Sequence, residues 1–276
     1  MNIITVSRGS LSATEMLARK ISGKLNCPVV TREDVIKAAE KYGIKDTGLG
    51  DKAFFEKSPS IWDKLSDRKK QYLCCFQTAL LDFALQGSFI YHGHLAQFLL
   101  GDIPFVLRVM LTAPVEFRIN TLMKEGGKTR EQVISYIKLI DERREQWSHF
   151  LYGVDWRDPS HYNVVLNLGK INIDLAADIL LNISSDKEFQ SKPESLKVLK
   201  NLHLASKARC YLQQSPRTKG SDVELEADSE SGSLVVKGSI PKVGSRMWEN
   251  DIKTVLSKVE GVKTIKVIKS IVGYYE

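Results

Sequence analysis

The sequence has few residues of the kinds that build disulfide or metal sites. It holds four cysteines and five histidines among 276 residues. Cys27, Cys74, Cys75 and Cys210 form no CxxC pair, and a chain of this length does not need a disulfide scaffold. No group of histidine, cysteine and aspartate has metal-ligand spacing. We therefore predict no resident metal, and we interpret the adjacent Cys74 and Cys75 as buried apolar residues rather than a redox pair.

Long hydrophobic runs are also missing. No apolar stretch reaches the roughly 18 residues that a membrane-spanning helix needs, and no hydrophobic leader precedes the first strand. A cytoplasmic protein is therefore expected. Hydrophobic residues make up 43% of the chain and charged residues 26%, which is typical of globular proteins and argues against global disorder. The length suits about two domains.

Acidic residues are outnumbered, which gives a net charge of +7. Residues 186–220 hold eight lysines and arginines against three acidic residues. Such a stretch could bind nucleic acid or anionic lipid. It could equally form the solvated face of a basic helix, which is the more common origin of a charge run. We favour the second interpretation and expect no specific nucleic-acid partner.

Short apolar runs alternate with helical periodicity up to residue 183. The runs at 88–91 and 104–111 lack strict alternation, as parallel strands buried on both faces do. Thr129 and Gln132 have the spacing of a capping box at the start of a helix over 130–147. The polar residues 43–67 predict a loop-rich segment. The alternation predicts right-handed βαβ crossovers in a three-layer α/β domain.

The pattern changes after residue 184. Polar residues 186–193 predict a linker, and a helix is expected over about 194–214. The order that follows is strand, tight turn, strand, helix and strand, which predicts a small α+β domain. We therefore divide the chain into domains at 1–185 and 194–276, joined by the linker.

A glycine-poor loop joins the first strand to the first helix, with the sequence SRGSLSAT at residues 7–14. A strand that leads through such a loop into a helix can bind phosphate, because backbone N–H groups converge and the helix dipole favours an anion. The spacing GxxxxGK[ST] fails, since Thr14 or Glu15 stands where the lysine belongs. The residues alone fit a phosphate loop or an ordinary strand–turn–helix junction.

Several motifs resemble the cytidylate kinase-like family, a branch of the P-loop nucleoside monophosphate kinases. Residues 4–8 resemble its I-T-I-S-R, and residues 108–119 (RVMLTAPVEFRI) resemble its R-V-F-I-x-A-P-x-E-x-R-I. Residues 141–144 (DERR) resemble its D-x-x-R lid helix, and residues 162–167 (YNVVLN) its Y-D-L-V-I-N. His94 stands where the family has an arginine. The family's glycine-rich G-S-G-G falls on Leu-Ser-Ala-Thr, and each replaced glycine adds a Cβ where a phosphate is expected.

The resemblance implies a parallel sheet of P-loop kinase type and ATP-dependent phosphoryl transfer to a nucleoside monophosphate such as CMP. Mg²⁺ would arrive with ATP, held mainly by phosphates and water. The lid residues Arg143 and Arg144 would clamp phosphates, and Asp141 would orient one of them. Arg118 and His94 would contact substrate, although for Arg118 we favour a structural ion pair. The residues implied in binding the nucleotide phosphates are Ser7, Arg8, Gly9, Ser10, Ser12 and Thr14.

The degenerate loop leaves a second interpretation open, a kinase fold without catalysis that binds or regulates. Residues 155–159 resemble the family's D-W-x-D-P turn, which we interpret as structural, with the indole of Trp156 packed against the protein.

The C-terminal part resembles a BON domain, through VELEADSESGSLVVKGSI at 223–240 and VEGVKTIKV at 259–267. That resemblance implies a non-catalytic contact with anionic phospholipid or a protein partner, and a peripheral membrane position as the alternative to a purely cytoplasmic one.

Overall fold

The computed structural model describes residues 1–8, 11–44, 67–93, 95–124, 126–241 and 245–272. Their contacts form two compact units. The first comprises residues 1–35 and 86–192, and the second comprises the described parts of 36–50, 65–85 and 193–276. The predicted loop-rich segment lies almost wholly outside the described residues.

Helices and strands alternate along the first 185 residues, and a second group follows. In chain order they are β1 (Ile3–Arg8), α1 (Leu11–Leu25), β2 (Val29–Val30), α2 (Arg32–Ala39), α3 (Asp67–Gln86), β3 (Phe89–His92), α4 (Ala96–Leu99), β4 (Val106–Thr112), α5 (Val115–Lys124), α6 (Arg130–Tyr152), β5 (Val164–Asn167), α7 (Ile173–Ser185), α8 (Pro193–Gln214), β6 (Val223–Asp228), β7 (Ser233–Pro241), α9 (Ser245–Leu256) and β8 (Thr264–Val272).

The first unit is built on a five-stranded sheet in the order β2-β3-β1-β4-β5, with every pair parallel. This confirms the predicted α/β class. Ile4 and Val6 of the central strand point to one face, where α1 and α7 cover them with Leu17, Ile21 and Leu180. All five side chains are fully buried, so the face between sheet and helices excludes water and stabilises the strand by apolar burial.

Helix α6 begins and ends where its terminal residues satisfy backbone groups. Thr129 Oγ1 accepts from the Gln132 amide while the Gln132 side chain accepts from the Thr129 amide, so the predicted capping box is confirmed. The helix continues past the predicted end at 147 to Tyr152. Gly153 ends it with a left-handed φ of 68°, a conformation that glycine adopts without a Cβ penalty.

The predicted linker makes specific contacts inside the first unit. Residues Lys187–Phe189 form a 3₁₀ turn that the Asp186 carboxylate caps. The Gln190 Nε2 donates to Asn2 Oδ1 and to the Ser184 carbonyl oxygen, both at 2.8 Å. These bonds tie the segment to the start of β1, so its polar residues serve as local hydrogen-bond partners.

The second unit holds a three-stranded sheet in which β6 and β7 are antiparallel and β7 and β8 parallel. Its core joins both flanking helices to the sheet, through Leu204 and Leu212 of α8 and Ile252 and Leu256 of α9. Gly232 closes the tight turn at φ 73°, where a Cβ would lie 2.7 Å from the Gly261 carbonyl oxygen. The predicted order helix, strand, turn, strand, helix, strand is confirmed as a separate small sheet domain.

The contacts also place α3 with the second unit, although the sequence assigns it to the domain at 1–185. Thr78 of this helix shares a 2.7 Å hydrogen bond with Ser206 and a 3.2 Å contact with the Cys210 sulfur on α8. The four cysteines are buried and form no disulfide, and burial raises the pKa of Cys74 to about 12. Among the described helices, none is long and apolar enough to cross a membrane.

Candidate functional site

The parallel strands of the first unit all end at one edge of the sheet. The register pairs Val6 with His92 and Arg8 with Leu111, and pairs Thr112 with Asn167. Helix α1 starts directly beyond the central strand at this edge. In open α/β sheets, ligands bind outside the carboxyl ends of the strands. The end of β1 and the N-terminus of α1 therefore lie at the edge where the fold offers a position to a ligand.

Part of the predicted loop lies outside the description. Gly9, Ser10 and His94 are not among the described residues, and the side chains of Arg8 and Ser12 are not described either. The predictions for these five residues stay predictions.

Two residues that replace family glycines have their side chains buried. Ala13 is 4% exposed and belongs to the core beneath the sheet together with Leu17. Thr14 is fully buried. The expectation that these Cβ atoms occupy the phosphate position is therefore wrong for Ala13, because its methyl group fills the core. The first turn of α1 also holds no acidic residue, so nothing there opposes an anion at the helix N-terminus.

Ser7 and Tyr162 form a buried polar cluster at the end of β1. Ser7 is 1% exposed, and its Oγ forms no well-aligned hydrogen bond with a described residue, although it lies close enough to the Tyr162 hydroxyl to lower the pKa of Tyr162. The Tyr162 hydroxyl accepts from Gln97 Nε2 at 2.8 Å and donates to the Trp156 carbonyl at 2.6 Å. Burial raises the pKa of Tyr162 to about 12, while the nearby Ser7, Gln97 and Arg144 side chains oppose that rise.

Neither Gln97 nor Tyr162 was predicted as a site residue. Tyr162 opens the YNVVLN motif that carries the resemblance, which is the signal that could have singled it out. Gln97 had no such signal, because it lies on the four-residue helix α4 that the sequence pattern does not reveal.

Arg118 and Asp141 form a two-point ion pair between α5 and α6. Arg118 Nη1 lies 2.6 Å from Asp141 Oδ2, and Nη2 lies 2.8 Å from Oδ1. The Asp141 carboxylate therefore has Arg118 as a partner, and the expectation that it also orients one of the lid arginines stays a prediction. Residues two apart on a helix do not face each other, so Arg143 points elsewhere, and the Asp141 carboxylate faces α5.

The two lid arginines have different surroundings. Arg144 is 9% exposed, with its guanidinium 5.8 Å from the centre of the Trp156 ring. The Arg143 Nε is buried and has no hydrogen-bond partner among the described residues. Both residues lie in the middle of α6, because the helix extends further than predicted. Arg143 is therefore the better candidate for a phosphate, and Arg144 packs on the turn that follows the lid helix.

Trp156 connects these features. Its ring lies under Arg144, and its carbonyl accepts from Tyr162, which neighbours Ser7 at the end of β1. This chain of contacts holds the middle of α6 close to the strand end that leads into the predicted phosphate loop.

Within the described residues, no group of three histidine, cysteine, aspartate or glutamate side chains could hold a metal ion.

The sequence matches the cytidylate kinase-like family over residues 3–170. Among curated proteins it is similar to the cytidylate kinase of Methanothrix thermoacetophila, with 29% identity over 61% of this chain and 89% of that protein. The cytidylate kinase of Ignicoccus hospitalis is 26% identical over 60% of this chain and 90% of that protein. That of Pyrobaculum islandicum is 25% identical over 66% and 92%.

A solved structure of an uncharacterized protein from Eubacterium ventriosum has the same fold in its matched part. It aligns with a TM-score of 0.51 at 18% identity and covers 68% of this chain and all of that one. This similarity concerns the fold alone. Because the family match spans more than half of the sequence, the chain belongs to the cytidylate kinase-like family.

Proposed function

We propose that this protein is a nucleotide kinase that transfers a phosphoryl group from ATP, with Mg²⁺, to a nucleoside monophosphate, with CMP as the first acceptor to test. Family membership and the relatives named cytidylate kinase support the reaction class. The observation that carries the proposal is the contact chain from Ser7 through Tyr162 and Trp156 to Arg144. It brings the lid helix to the strand end that opens the phosphate loop.

The described residues fit a bound nucleoside triphosphate. The Ser7 hydroxyl and the Arg143 Nε are buried polar groups without partners among the described residues, and such groups cost free energy until something bonds to them. The N-terminus of α1 offers backbone N–H groups and a positive dipole end. A magnesium ion would be bound through the phosphates and water. Bound in this way, Mg·ATP supplies the phosphoryl group and the cation that offsets its charge.

Each residue then has a distinct role in the proposed mechanism. The amides at the start of α1 and the Ser7 hydroxyl hold phosphate oxygens. Arg143 donates to the phosphoryl group during transfer, where fixed donors stabilise developing charge most effectively. Arg144 acts as a positioning residue, because it stacks on Trp156 and fixes the turn below the lid helix. Arg118 and Asp141 hold α5 against α6, and a substrate contact from His94 stays part of the proposal.

The test is a titration of Mg·ATP with the full chain, followed by phosphoryl transfer to CMP, UMP and AMP. Arg143→Lys keeps the charge and loses the planar fork, so we expect a rate about a hundredfold lower. Arg130→Lys is the matched control on the same helix, because Arg130 forms an exposed pair with Glu116. A wild-type protein that neither binds ATP nor transfers phosphate would overturn the proposal.

The alternative function is binding or regulation by a kinase fold without catalysis. The loss of the family's glycines at Leu11, Ala13 and Thr14 favours it. The same titration separates the two, because ATP binding without transfer to any acceptor would support the alternative. The buried position of Ala13 weakens the alternative, since that methyl group does not crowd the loop.

For residues 194–276 we retain the proposal of a BON-like domain that contacts a partner. The order of its elements supports this assignment. Its basic residues are partly neutralised, since Lys197, Lys207 and Arg217 pair with acidic side chains. A protein partner is therefore favoured over anionic lipid. Sedimentation of the full chain with anionic vesicles at low and raised salt is the test, and salt-sensitive sedimentation would reverse that preference.

A further inference from the structure

A pocket of about 290 Å³ is lined by residues of the second unit, none of which was assigned to phosphoryl transfer. One wall is helix α8, which presents Lys200, His203, Leu204 and Lys207 to it. These residues stand at positions i, i+3, i+4 and i+7, so they share one face of the helix. The remaining wall comes from three other segments and includes Leu85, Ser229, Glu260 and Gly261.

The pocket combines basic and apolar groups. Leu204 is buried, and the side chain of Leu85 is 39% exposed, so an apolar ligand part can lie against leucine surface. Lys200, the first of these four residues along α8, is exposed to solvent. The ring of His203 is held by a 2.8 Å hydrogen bond between its Nε2 and Asp82 Oδ1. The Ser229 amide and hydroxyl both donate hydrogen bonds of 2.8 Å to Asn201 Oδ1. The hydroxyl oxygen of Ser229 can still accept a hydrogen bond.

The central cation of the pocket has an easily displaced partner. Lys207 Nζ lies 2.8 Å from Glu260 Oε2. The lysine side chain is only 15% exposed, whereas that of Glu260 is 91% exposed. Rotation of Glu260 away would return its carboxylate to water, where it is already mostly hydrated, and would leave the largely buried Lys207 ammonium without a counter-ion. Lys207 would stay partly buried with donors available, so an incoming anion could take the position of the carboxylate.

From this arrangement we propose that the second unit binds a small organic anion, with a phosphate or carboxylate head on Lys207 and an apolar body against Leu85 and Leu204. Lys200, about two helical turns away on the same face, adds a second positive charge to the pocket. Glu260 competes with the ligand for Lys207 and acts as a gate on this site. The volume lies at the lower end of the range for small-molecule pockets, which favours a ligand with one ring or a short chain.

The experiment uses the full-length protein and phenyl phosphate as the probe, followed by calorimetry and by the amide resonances of Ser229 and Gly261. Lys207→Met keeps the apolar stem and removes the charge, so we expect binding about tenfold weaker. Glu260→Gln removes the competitor, so we expect binding about two- to fivefold tighter. Lys197→Met is the matched control, because Lys197 lies on the same helix as Lys207, pairs with Glu230 in the turn between β6 and β7, and does not line the pocket.

Three further probes identify which part of the ligand matters. Benzoate tests a carboxylate head, inorganic phosphate tests the head alone, and benzyl alcohol tests the apolar body without charge. Binding of phenyl phosphate or benzoate above both partial probes, with the two opposite variant effects, supports the proposal. It is overturned if Glu260→Gln binds no tighter than wild type, if Lys207→Met binds as well as wild type, or if the resonances of Ser229 and Gly261 do not move. Because Glu260 is solvent-exposed, its substitution leaves folding intact and keeps the result interpretable.

Discussion

Arg118 and Asp141 lock α5 to α6 through two parallel hydrogen bonds of 2.6 and 2.8 Å. Arg118 is 11% exposed and Asp141 28%, so this pair lies largely out of solvent. Ile119, Val133 and Ile137 pack beside it as an apolar cluster between the same helices. The pair and the cluster together fix where α6 lies on α5, and so they fix the base from which Arg143 projects.

Asp141→Asn should lower stability, because it leaves the Arg118 guanidinium without its charged partner. The loss of a largely buried charged hydrogen bond is expected to cost about 1–3 kcal/mol in the free energy of unfolding. Urea unfolding of wild type and variant measures it. Glu116→Gln is the control, since its pair with Arg130 joins the same helices in an exposed position, and it should cost clearly less. Equal losses in the two variants would contradict a special role for the pair.

Ser7→Ala separates a ligand contact from a structural role. The Ser7 hydroxyl is buried without a hydrogen-bond partner among the described residues, so its removal should leave the melting temperature unchanged or slightly raised. If the hydroxyl bonds to a phosphate, ATP affinity should fall about tenfold. Calorimetric titration with Mg·ATP and a thermal melt give both quantities. A loss of stability with unchanged ATP affinity would show that the serine is structural.

Much of the fold follows from local sequence rules. The capping box at Thr129 and the tight turn ending at Gly232 could be predicted because backbone groups there require particular residues. The C-terminal order of elements was predicted for the same reason. The partner of α3 was not, because apolar periodicity shows which face of a helix is buried and not which element buries it.

The candidate site shows the same division. The family motifs predict the loop and the lid arginines, since motif residues lie close together in the chain. The pair of Arg118 with Asp141 and the stacking of Arg144 on Trp156 depend on how separate elements meet. The basic stretch at 186–220 is a further example, because Lys207 is paired by a glutamate 53 residues away, which no local count of charge reveals.

Gly169→Ala should destabilise the edge of the sheet where β5 ends. A Cβ at Gly169 would lie 2.3 Å from Pro114 Cδ, and a proline ring has no flexible end that can move aside. Overpacking of this kind costs about 1–3 kcal/mol. Gly23→Ala is the matched control, because nothing lies within 4 Å of its added Cβ, and it should stabilise α1 by about 0.5–1 kcal/mol. Differential scanning calorimetry should show the two melting temperatures moving in opposite directions.

Asp82 is the centre of a hydrogen-bond cluster in the second unit. Its Oδ1 accepts from His203 Nε2 at 2.8 Å, and its Oδ2 accepts from the Tyr42 hydroxyl at 2.8 Å and pairs with Lys41 Nζ at 2.9 Å. Burial alone would raise the pKa of Asp82, but the donors from His203, Lys41 and Tyr42 outweigh it and hold the pKa below the ordinary value of 3.8.

The sign of the pH dependence follows from this shift. Because the folded-state pKa is lower than the unfolded-state pKa, the carboxylate stabilises the fold at every pH above the ordinary value, and the contribution disappears as the pH falls through the folded-state pKa. Asp82→Asn should therefore destabilise the protein at pH 7, and the defect should shrink progressively as the pH falls below 3.8. Asp178→Asn is the control, since Asp178 also pairs with a lysine but is solvent-exposed, and its effect should be small at both values. Thermal melts of the three proteins from pH 3 to 7 measure the difference. An Asp82→Asn defect that does not shrink as the pH falls from 7 to 3 would mean that the side chain acts through packing, because a charge-dependent contribution must decrease below the ordinary pKa.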